Sequence, residues 1–177
     1  KETMSGYRHL FKVLLKKSFL SSPVACAQTL EKRINTIKKR GERDASYLSR
    51  HQDDLHELED LLPTVKGIIT QNQDAKFERL KDLITKKSPF KLRSKDRLVI
   101  FTERIETMRS VAQALYSQLS QYQVDQCEKY SDVSREKAKI LSLSGQMSDV
   151  DIQEIVDLFG QEKSKLRILV ASDVASE

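Results

Sequence analysis

Three short apolar runs stand out in the second half of the chain, at residues 98–101, 140–143 and 168–171. Each run is aliphatic or β-branched nearly throughout, and small or polar residues follow it. Continuous apolar runs of this length are typical of strands that are buried on both faces of a sheet. Amphipathic segments separate the runs, and parallel strands need such helical crossovers. The pattern therefore predicts an α/β region in the order strand, helix, strand, helix, strand.

The loops that follow these strands are the expected place for a ligand, because open parallel sheets bind ligands at the carboxyl ends of their strands. Here the loops are residues 102–104, 144–147 and 172–177. A helix is predicted over residues 105–119, and the polar residues 121–138 are interpreted as an insertion or an irregular crossover. In the helix after Ser148, the predicted core residues are Ile155, Val156 and Phe159.

The first half of the chain carries apolar residues at helical spacing. The spacing predicts an amphipathic helix over residues 7–20 and a second helix that starts at Ser22 and Pro23 and ends near Gly41. A third helix over residues 48–62 pairs with the second as an antiparallel hairpin spanning residues 23–62, and Pro63 ends or kinks it. A further helix starts at Asp74, and Ser88 and Pro89 end it. The apolar positions of the four helices are Leu10, Phe11, Leu14, Leu15 and Phe19; Ala27, Leu30, Ile34 and Ile37; Leu48, Leu55, Leu58 and Leu62; and Phe77, Leu80, Leu83 and Ile84.

Charge divides the chain into two parts. Of the net charge of +5, residues 1–97 contribute +9 and residues 98–177 contribute −4. A basic half favours nucleic acid or another acidic surface as a partner, and a solvated helix face is the alternative. Cys26 and Cys127 are isolated, which favours a reduced cytoplasmic setting. No membrane partner is expected, because lysines interrupt the apolar stretch between Leu10 and Leu20.

The residues that ATP hydrolysis requires are missing from this chain. The glycines lie at positions 6, 41, 67, 145 and 160, so no Gly-x-x-x-x-Gly-Lys phosphate loop exists. No Asp-Glu pair ends an apolar run, and His51 and His56 are five residues apart, which is the wrong spacing for paired metal ligands on one helix face. We therefore expect no metal site, no bound cofactor and no ATP turnover by these residues alone.

Three segments resemble successive motifs in the second RecA-like lobe of superfamily 2 helicases and translocases. Val-Ile-Phe-Thr-Glu-Arg at residues 99–104 is similar to motif IV, and Leu-Ser-Gly-Gln-Met-Ser-Asp with the helix after it, residues 143–159, is similar to the glycine-bearing loop that follows. Ile-Leu-Val-Ala-Ser-Asp-Val-Ala at residues 168–175 is similar to the opening of motif V. The order and spacing of the three segments match those of the family motifs. Their amino-acid sequences resemble the Swi/Snf-type, RapA-like bacterial branch.

The resemblance implies the fold and the domain organisation. The expected fold is α/β, with a helical region over residues 1–73 followed by an incomplete RecA-like parallel sheet flanked by helices, the first part of the second lobe, over residues 74–177. It also implies partners. These are nucleic acid, with DNA favoured over RNA, and the first RecA-like lobe of the same longer chain, which would bind ATP and magnesium.

The resemblance further implies which residues bind nucleic acid. Thr102, Glu103 and Arg104 correspond to motif IV, and Gly145 and Gln146 to the glycine-bearing loop. Ser172 corresponds to a hydroxyl and amide contact at motif V, and Asp173 to a residue that couples the nucleotide site to the bound strand. The physical reason holds independently, because glycine admits close approach of the backbone to a phosphate and an amide past a strand end is an anion donor. The alternatives are that Gly145 serves only a turn and that Ser172 only caps the next helix.

Two departures from the family pattern limit this inference. Ile152 occupies a position where many of these helicases carry an arginine that reaches nucleic acid. The chain also stops at Glu177, before the glycine that would complete motif V and before the later arginine motif, so we expect an excerpt of a longer protein.

Two classes of function remain open from the sequence, with a third disfavoured. The leading hypothesis is a fragment of an ATP-dependent helicase or DNA translocase that contributes backbone binding and coupling to ATP hydrolysis. The alternative is a noncatalytic protein-interaction module, in which the helical hairpin binds a partner and the α/β part is a scaffold. An intact small nucleotide-binding protein is disfavoured by the missing phosphate loop.

Overall fold

The structure, a computed structural model, describes the backbone of residues 2–71, 73–87, 95–120 and 139–172. Within these ranges, side chains are described except those of residues 2–8, 86, 87 and 120. The chain divides into two compact units, Lys1–Asp74 and Ala75–Glu177. The first is helical and the second contains the sheet.

Four helices form the first unit: α1 (Glu2–Ser21), α2 (Pro23–Gly41), α3 (Ala45–Arg50) and α4 (Gln52–Thr70). The predicted start of α2 is confirmed. Ser22 is its N-cap and accepts a hydrogen bond of 3.1 Å from the Ala25 amide, and Pro23 occupies the first turn, where no amide partner is needed.

The apolar stripe of α2 packs against α4. Leu30, Ile34 and Ile37 are buried with Leu55 and Leu58 in one cluster, as the spacing predicts. Full burial of an aliphatic side chain stabilises a fold by about 1.5–3 kcal/mol, so this seam dominates the stability of the helical unit. Ion pairs flank it, from Lys38 to Glu59 at 2.6 Å and from Lys66 to Glu31 at 2.7 Å.

The predicted apolar face of α1 is wrong in part, and of the two alternatives at Pro63 the structure excludes the helix end. In α1 the buried face includes Ser18, which is fully buried, whereas Phe19 is 54% exposed. Ser18 fits there because its hydroxyl is hydrogen-bonded, at 2.8 Å to the Leu14 carbonyl and at 2.9 Å to the Thr29 hydroxyl. Helix α4 does not end at Pro63 but continues to Thr70, where burial of Val65 stabilises the turns beyond the proline.

The second unit opens with α5 (Ala75–Asp82) and a π-helical turn (Leu83–Lys87). It continues with β1 (Leu98–Thr102), α6 (Ile105–Ser120), β2 (Ile140–Leu143), α7 (Asp149–Gly160) and β3 (Ile168–Ser172). The strands form one parallel sheet in the order β1–β3–β2. The predicted fold class is therefore confirmed: helices followed by a parallel sheet that helices flank. Residues 121–138, with the predicted insertion, lie outside the described residues, as do Ser88 and Pro89, which were expected to end the helix after Asp74.

Each face of the sheet packs against a different helix. On one face α6 buries Met108, Ala112, Leu115 and Leu119 against Ile140, Ile168 and Val170. On the other, Ile155 of α7 packs against Leu141, Leu143, Leu169 and Ala171.

Burial differs between the strands. The strands β2 and β3 are buried along their whole length, as predicted. The prediction that β1 is buried on both faces is wrong, because Val99 is 37% and Phe101 61% exposed. β1 pairs only with β3 in the described sheet and its alternate residues face away from α6, so half of its apolar run stays accessible. Val156, another predicted core residue, is also exposed, whereas Ile155 is buried and Phe159 partly buried.

Candidate nucleic-acid interface

The carboxyl ends of the three strands lie side by side at one edge of the sheet. Thr102, the last residue of β1, pairs in register with Ser172, the last residue of β3. Leu143, the last residue of β2, pairs with Ala171. Residues 102–104, 144–147 and 172 therefore start from the same edge, which is the arrangement that parallel pairing of the three runs implies.

The loop after β1 is tied to its neighbours by a single hydroxyl. Thr102 Oγ1 donates a hydrogen bond to the Arg104 carbonyl at 3.1 Å and, more weakly, to the Ala171 carbonyl at 3.4 Å. The Arg104 carbonyl also accepts the Met108 amide at 2.9 Å, the bond that begins α6. Thr102 is thus a positioning residue that joins β1, β3 and α6, while Glu103 presents its side chain to solvent.

The loop after β2 presents its predicted residues outward. Gly145 and Gln146 are exposed, and the Met147 amide donates to the Ser144 carbonyl at 3.0 Å to close the turn. Ser148 caps α7 by accepting the Asp151 amide at 3.2 Å, while its hydroxyl donates to the Asp151 carboxylate at 2.7 Å. This capping role was missed, although a serine three residues before an aspartate is a recognisable helix-start signal. The cap satisfies one amide of the first turn of α7, and Gly145 and Gln146 are the exposed predicted site residues of this loop.

Ser172 is placed differently from the other predicted site residues. It is 1% exposed, and its hydroxyl makes no hydrogen bond with the part of the chain that the structure describes. A buried hydroxyl without a partner costs about 1–3 kcal/mol, so such a group needs a reason to be retained. Asp173, the predicted coupling residue, lies outside the described residues.

The electrostatics of this edge are acidic. The loops after β1 and β2, with the helix starts that follow them, carry four carboxylates and one cation in the sequence: Glu103, Glu106, Asp149 and Asp151, and Arg104. A phosphate backbone at this edge would therefore meet mainly amide and hydroxyl donors instead of a cluster of cations. Ile152, which the motif resemblance places where many helicases carry an arginine, is partly buried and packs against the cluster that contains Ile155.

Two further expectations concern metals and membranes. Among the described residues, no group of three or more His, Cys, Asp or Glu side chains is placed to hold a metal ion. Within the same residues, none of the helices combines the length and the apolar character needed to cross a membrane.

The fold and this edge define an α/β lobe with loops at the carboxyl ends of parallel strands. The family described as helicase conserved C-terminal domain matches residues 75–177. Because this match covers more than half of the chain, the chain belongs to that family, which comprises the C-terminal lobe of superfamily 1 and 2 helicases. Comparison with curated proteins and with solved structures gave no match.

Proposed function

We propose that this chain is part of an ATP-dependent helicase or DNA translocase and that its sheet edge binds the phosphate backbone of nucleic acid. The observation that carries the proposal is the register of Thr102, Ser172 and Leu143, which brings the three motif loops together in a chain of the helicase C-terminal family. In this role Thr102 positions the first loop. Hydrogen-bond donors for the phosphates come from Arg104, Gly145, Gln146 and the Ser172 end of β3.

The finer features of the proposal rest on the motif resemblance. We propose a Swi/Snf-type, RapA-like superfamily 2 enzyme that acts on DNA in preference to RNA. ATP and magnesium bind with the other lobe of the longer protein, and Asp173 couples that site to the bound strand. A cytoplasmic setting agrees with Cys26, a free and buried thiol whose pKa is raised by burial. A noncatalytic interaction module is not favoured, because the helicase family match spans the whole second unit.

The proposal is tested by titrating fluorescently labelled single-stranded and duplex DNA with the chain and following anisotropy at low salt. The informative variant is Gly145→Ala, because the motif resemblance assigns to this glycine a backbone amide that approaches a phosphate, and glycine admits such an approach. The matched control is Gly160→Ala at the end of α7, where an added Cβ meets open space and the chain has returned to the amino side of the sheet.

The expected result is selective loss of affinity. An amide hydrogen bond to a charged group contributes about 1.5–3 kcal/mol, so Gly145→Ala should weaken binding by about tenfold or more while Gly160→Ala leaves it unchanged. Equal affinity of both variants and the original chain would place the contact elsewhere. RNA of the same sequence serves as the comparison that decides the preference for DNA.

A further inference from the structure

The outward side of α2 carries cations opposite its buried stripe. At 100° per residue, Lys32 and Lys39 lie across the helix from Leu30, Ile34 and Ile37, and Arg43 extends the same row past the end of the helix. Arg33 and Arg40 border the row on one side. We call these five residues, Lys32, Arg33, Lys39, Arg40 and Arg43, the basic face of α2.

Ion pairs to α4 occupy one flank of this row. Glu31 is turned toward α4, where it pairs with Lys66 at 2.7 Å, and Lys38 on the same flank pairs with Glu59 at 2.6 Å. Glu42, the C-cap residue, lies beside the row. One flank of the helix thus holds α4 through ion pairs. On the other flank Arg33 lines a pocket with Asp53, Asp54 and Glu57 of α4, so the positive charge of the basic face is carried mainly by its exposed lysines, Arg40 and Arg43.

Two arginines of the basic face are held by aromatic rings. The guanidinium carbon of Arg33 lies 5.4 Å from the centre of the Phe11 ring, and that of Arg40 lies 5.7 Å from the centre of the Tyr47 ring. Stacking of this kind restricts the side chain while the N–H edge of the guanidinium stays available to an acceptor. A guanidinium held in one orientation binds phosphate with a smaller loss of conformational entropy, and its fork matches two phosphate oxygens.

Charge is unevenly divided among the helices of the first unit. Helices α1 and α2 contain nine Lys and Arg against two Asp and Glu, whereas α3 and α4 contain two against five. The basic face rises about 16 Å along the helix axis from position 32 to position 43. A nucleic-acid strand carries about one phosphate per 3.4 Å, so this length spans about five nucleotides.

We propose that the basic face of α2 is a second nucleic-acid backbone site, separate from the family-matched residues 75–177. Its charge is opposite to that of the sheet-edge loops in the second unit, where four carboxylates outnumber Arg104 in the sequence. The choice of nucleic acid as the polyanion rests on the proposed function. The charge pattern and the stacked arginines are independent of it.

The test measures how the affinity of the full chain for labelled single-stranded and duplex DNA depends on salt. The variant combines Lys39→Gln with Arg43→Gln. The matched control combines Lys163→Gln with Lys165→Gln, which removes the same charge from exposed positions between α7 and β3, away from the candidate loops. Each lost phosphate contact lowers the slope of log affinity against log salt by about 0.9 on duplex and about 0.7 on single strands.

The α2 pair should therefore lower the slope by about 1.8 on duplex DNA. If the variant and the original chain bind duplex DNA with equal affinity at about 1 M salt, the variant binds about 60-fold more weakly than the original chain at about 0.1 M salt. The control pair changes the slope by much less. Circular dichroism and the urea midpoint confirm that the variants are folded. If Arg43→Gln unfolds the helix end, Lys32→Gln with Lys39→Gln replaces the pair.

Each other outcome overturns a different statement. If the salt slope of the α2 variant is unchanged while Gly145→Ala weakens binding, the α2 site is refuted and the sheet-edge proposal stands. If the α2 variant lowers the slope while Gly145→Ala leaves binding unchanged, the sheet-edge proposal is refuted and the α2 site stands. Equal loss in the control pair shows general charge attraction and refutes a defined face. An equal slope change on polyglutamate shows a surface for acidic polymers, including acidic proteins, and refutes the assignment to nucleic acid. Failure of the original chain to bind DNA refutes both proposals.

Discussion

Replacing Ser172 by alanine is expected to make the protein more stable and a weaker binder of nucleic acid. The Ser172 hydroxyl is buried and makes no hydrogen bond within the described chain. A buried polar group in this state costs about 1–3 kcal/mol, and Ser172→Ala removes it at the loss of one small atom from the packing. We expect a gain of about 1 kcal/mol, which lowers the unfolded fraction about fivefold.

Ser18→Ala is the matched control with the opposite sign. Ser18 is equally buried, but its hydroxyl donates to the Leu14 carbonyl at 2.8 Å and lies 2.9 Å from the Thr29 hydroxyl. Each such bond contributes about 0.5–1.5 kcal/mol net, so this variant should lose about 1–2 kcal/mol. The same chemical change therefore separates a partnered hydroxyl from one without a partner.

Hydrogen exchange followed by mass spectrometry is the appropriate assay, because its peptides report on the two compact units separately. Protection of β3 should rise in Ser172→Ala, and protection of α1 and α2 should fall in Ser18→Ala. DNA affinity is measured on the same samples. If Ser172→Ala lost stability as Ser18→Ala does, the hydroxyl would have a partner and the reasoning would be refuted. Greater stability with unchanged affinity would refute its role at the interface.

Two further predictions concern the helical unit. Gly41→Ala should lower the free energy of unfolding in a urea titration by about 1–3 kcal/mol, because the new Cβ would lie 2.9 Å from the Leu48 Cβ. Gly67→Ala lies inside α4 with no atom close to its new Cβ, so it should raise that free energy by about 0.5–1 kcal/mol. A change of the same sign in both variants would contradict the packing at position 41. The pKa of Asp44 is lowered, first by the Ser46 hydroxyl and then by the Tyr47 amide, so its contribution is present above the unfolded pKa and is lost as pH falls through the folded one. Asp44→Ala should thus destabilise α3 at neutral pH, with a difference from the original chain that shrinks in acid; a constant difference would exclude the carboxylate as its cause.

Periodicity was sufficient to predict most of the fold. The runs at β2 and β3 are buried throughout, and the stripe of α2 packs against α4 as its spacing requires. The run at β1 is equally apolar, yet Phe101 is largely exposed. An apolar run shows what a strand can bury, but the position of the strand in the sheet and the helices beside it determine what it does bury.

The errors in the helices have a shared cause. Hydrophobicity assigns Phe19 to the core and Ser18 to solvent, but the approach of α1 to α2 accommodates a small hydroxyl with two partners. Proline propensity predicts that the helix ends or kinks at Pro63, but α4 continues to Thr70, and burial of Val65 beyond the proline outweighs the lost amide. In both places tertiary packing overrides a local preference.

The candidate interface was partly predictable. Parallel pairing alone implies that the ends of β1, β2 and β3 share an edge, and the register places Thr102 beside Ser172. Sequence could not reveal that the Ser172 hydroxyl is buried without a partner, because that depends on the side chains packed around it. The acidic balance of the edge could be read from the sequence once the loops were grouped, whereas the stacking of Arg33 on Phe11 required coordinates.

The strand order β1–β3–β2 has a consequence for how the protein is made. Among the described strands, each hydrogen-bonded pair includes β3, and residue 98 of β1 pairs with residue 168 of β3. On the ribosome the first two strands therefore emerge without each other as partners and must wait until the last one is synthesised. Pairings this distant in sequence form slowly, and the waiting strands are apolar, so a nascent chain stopped before position 168 is a natural client of chaperones.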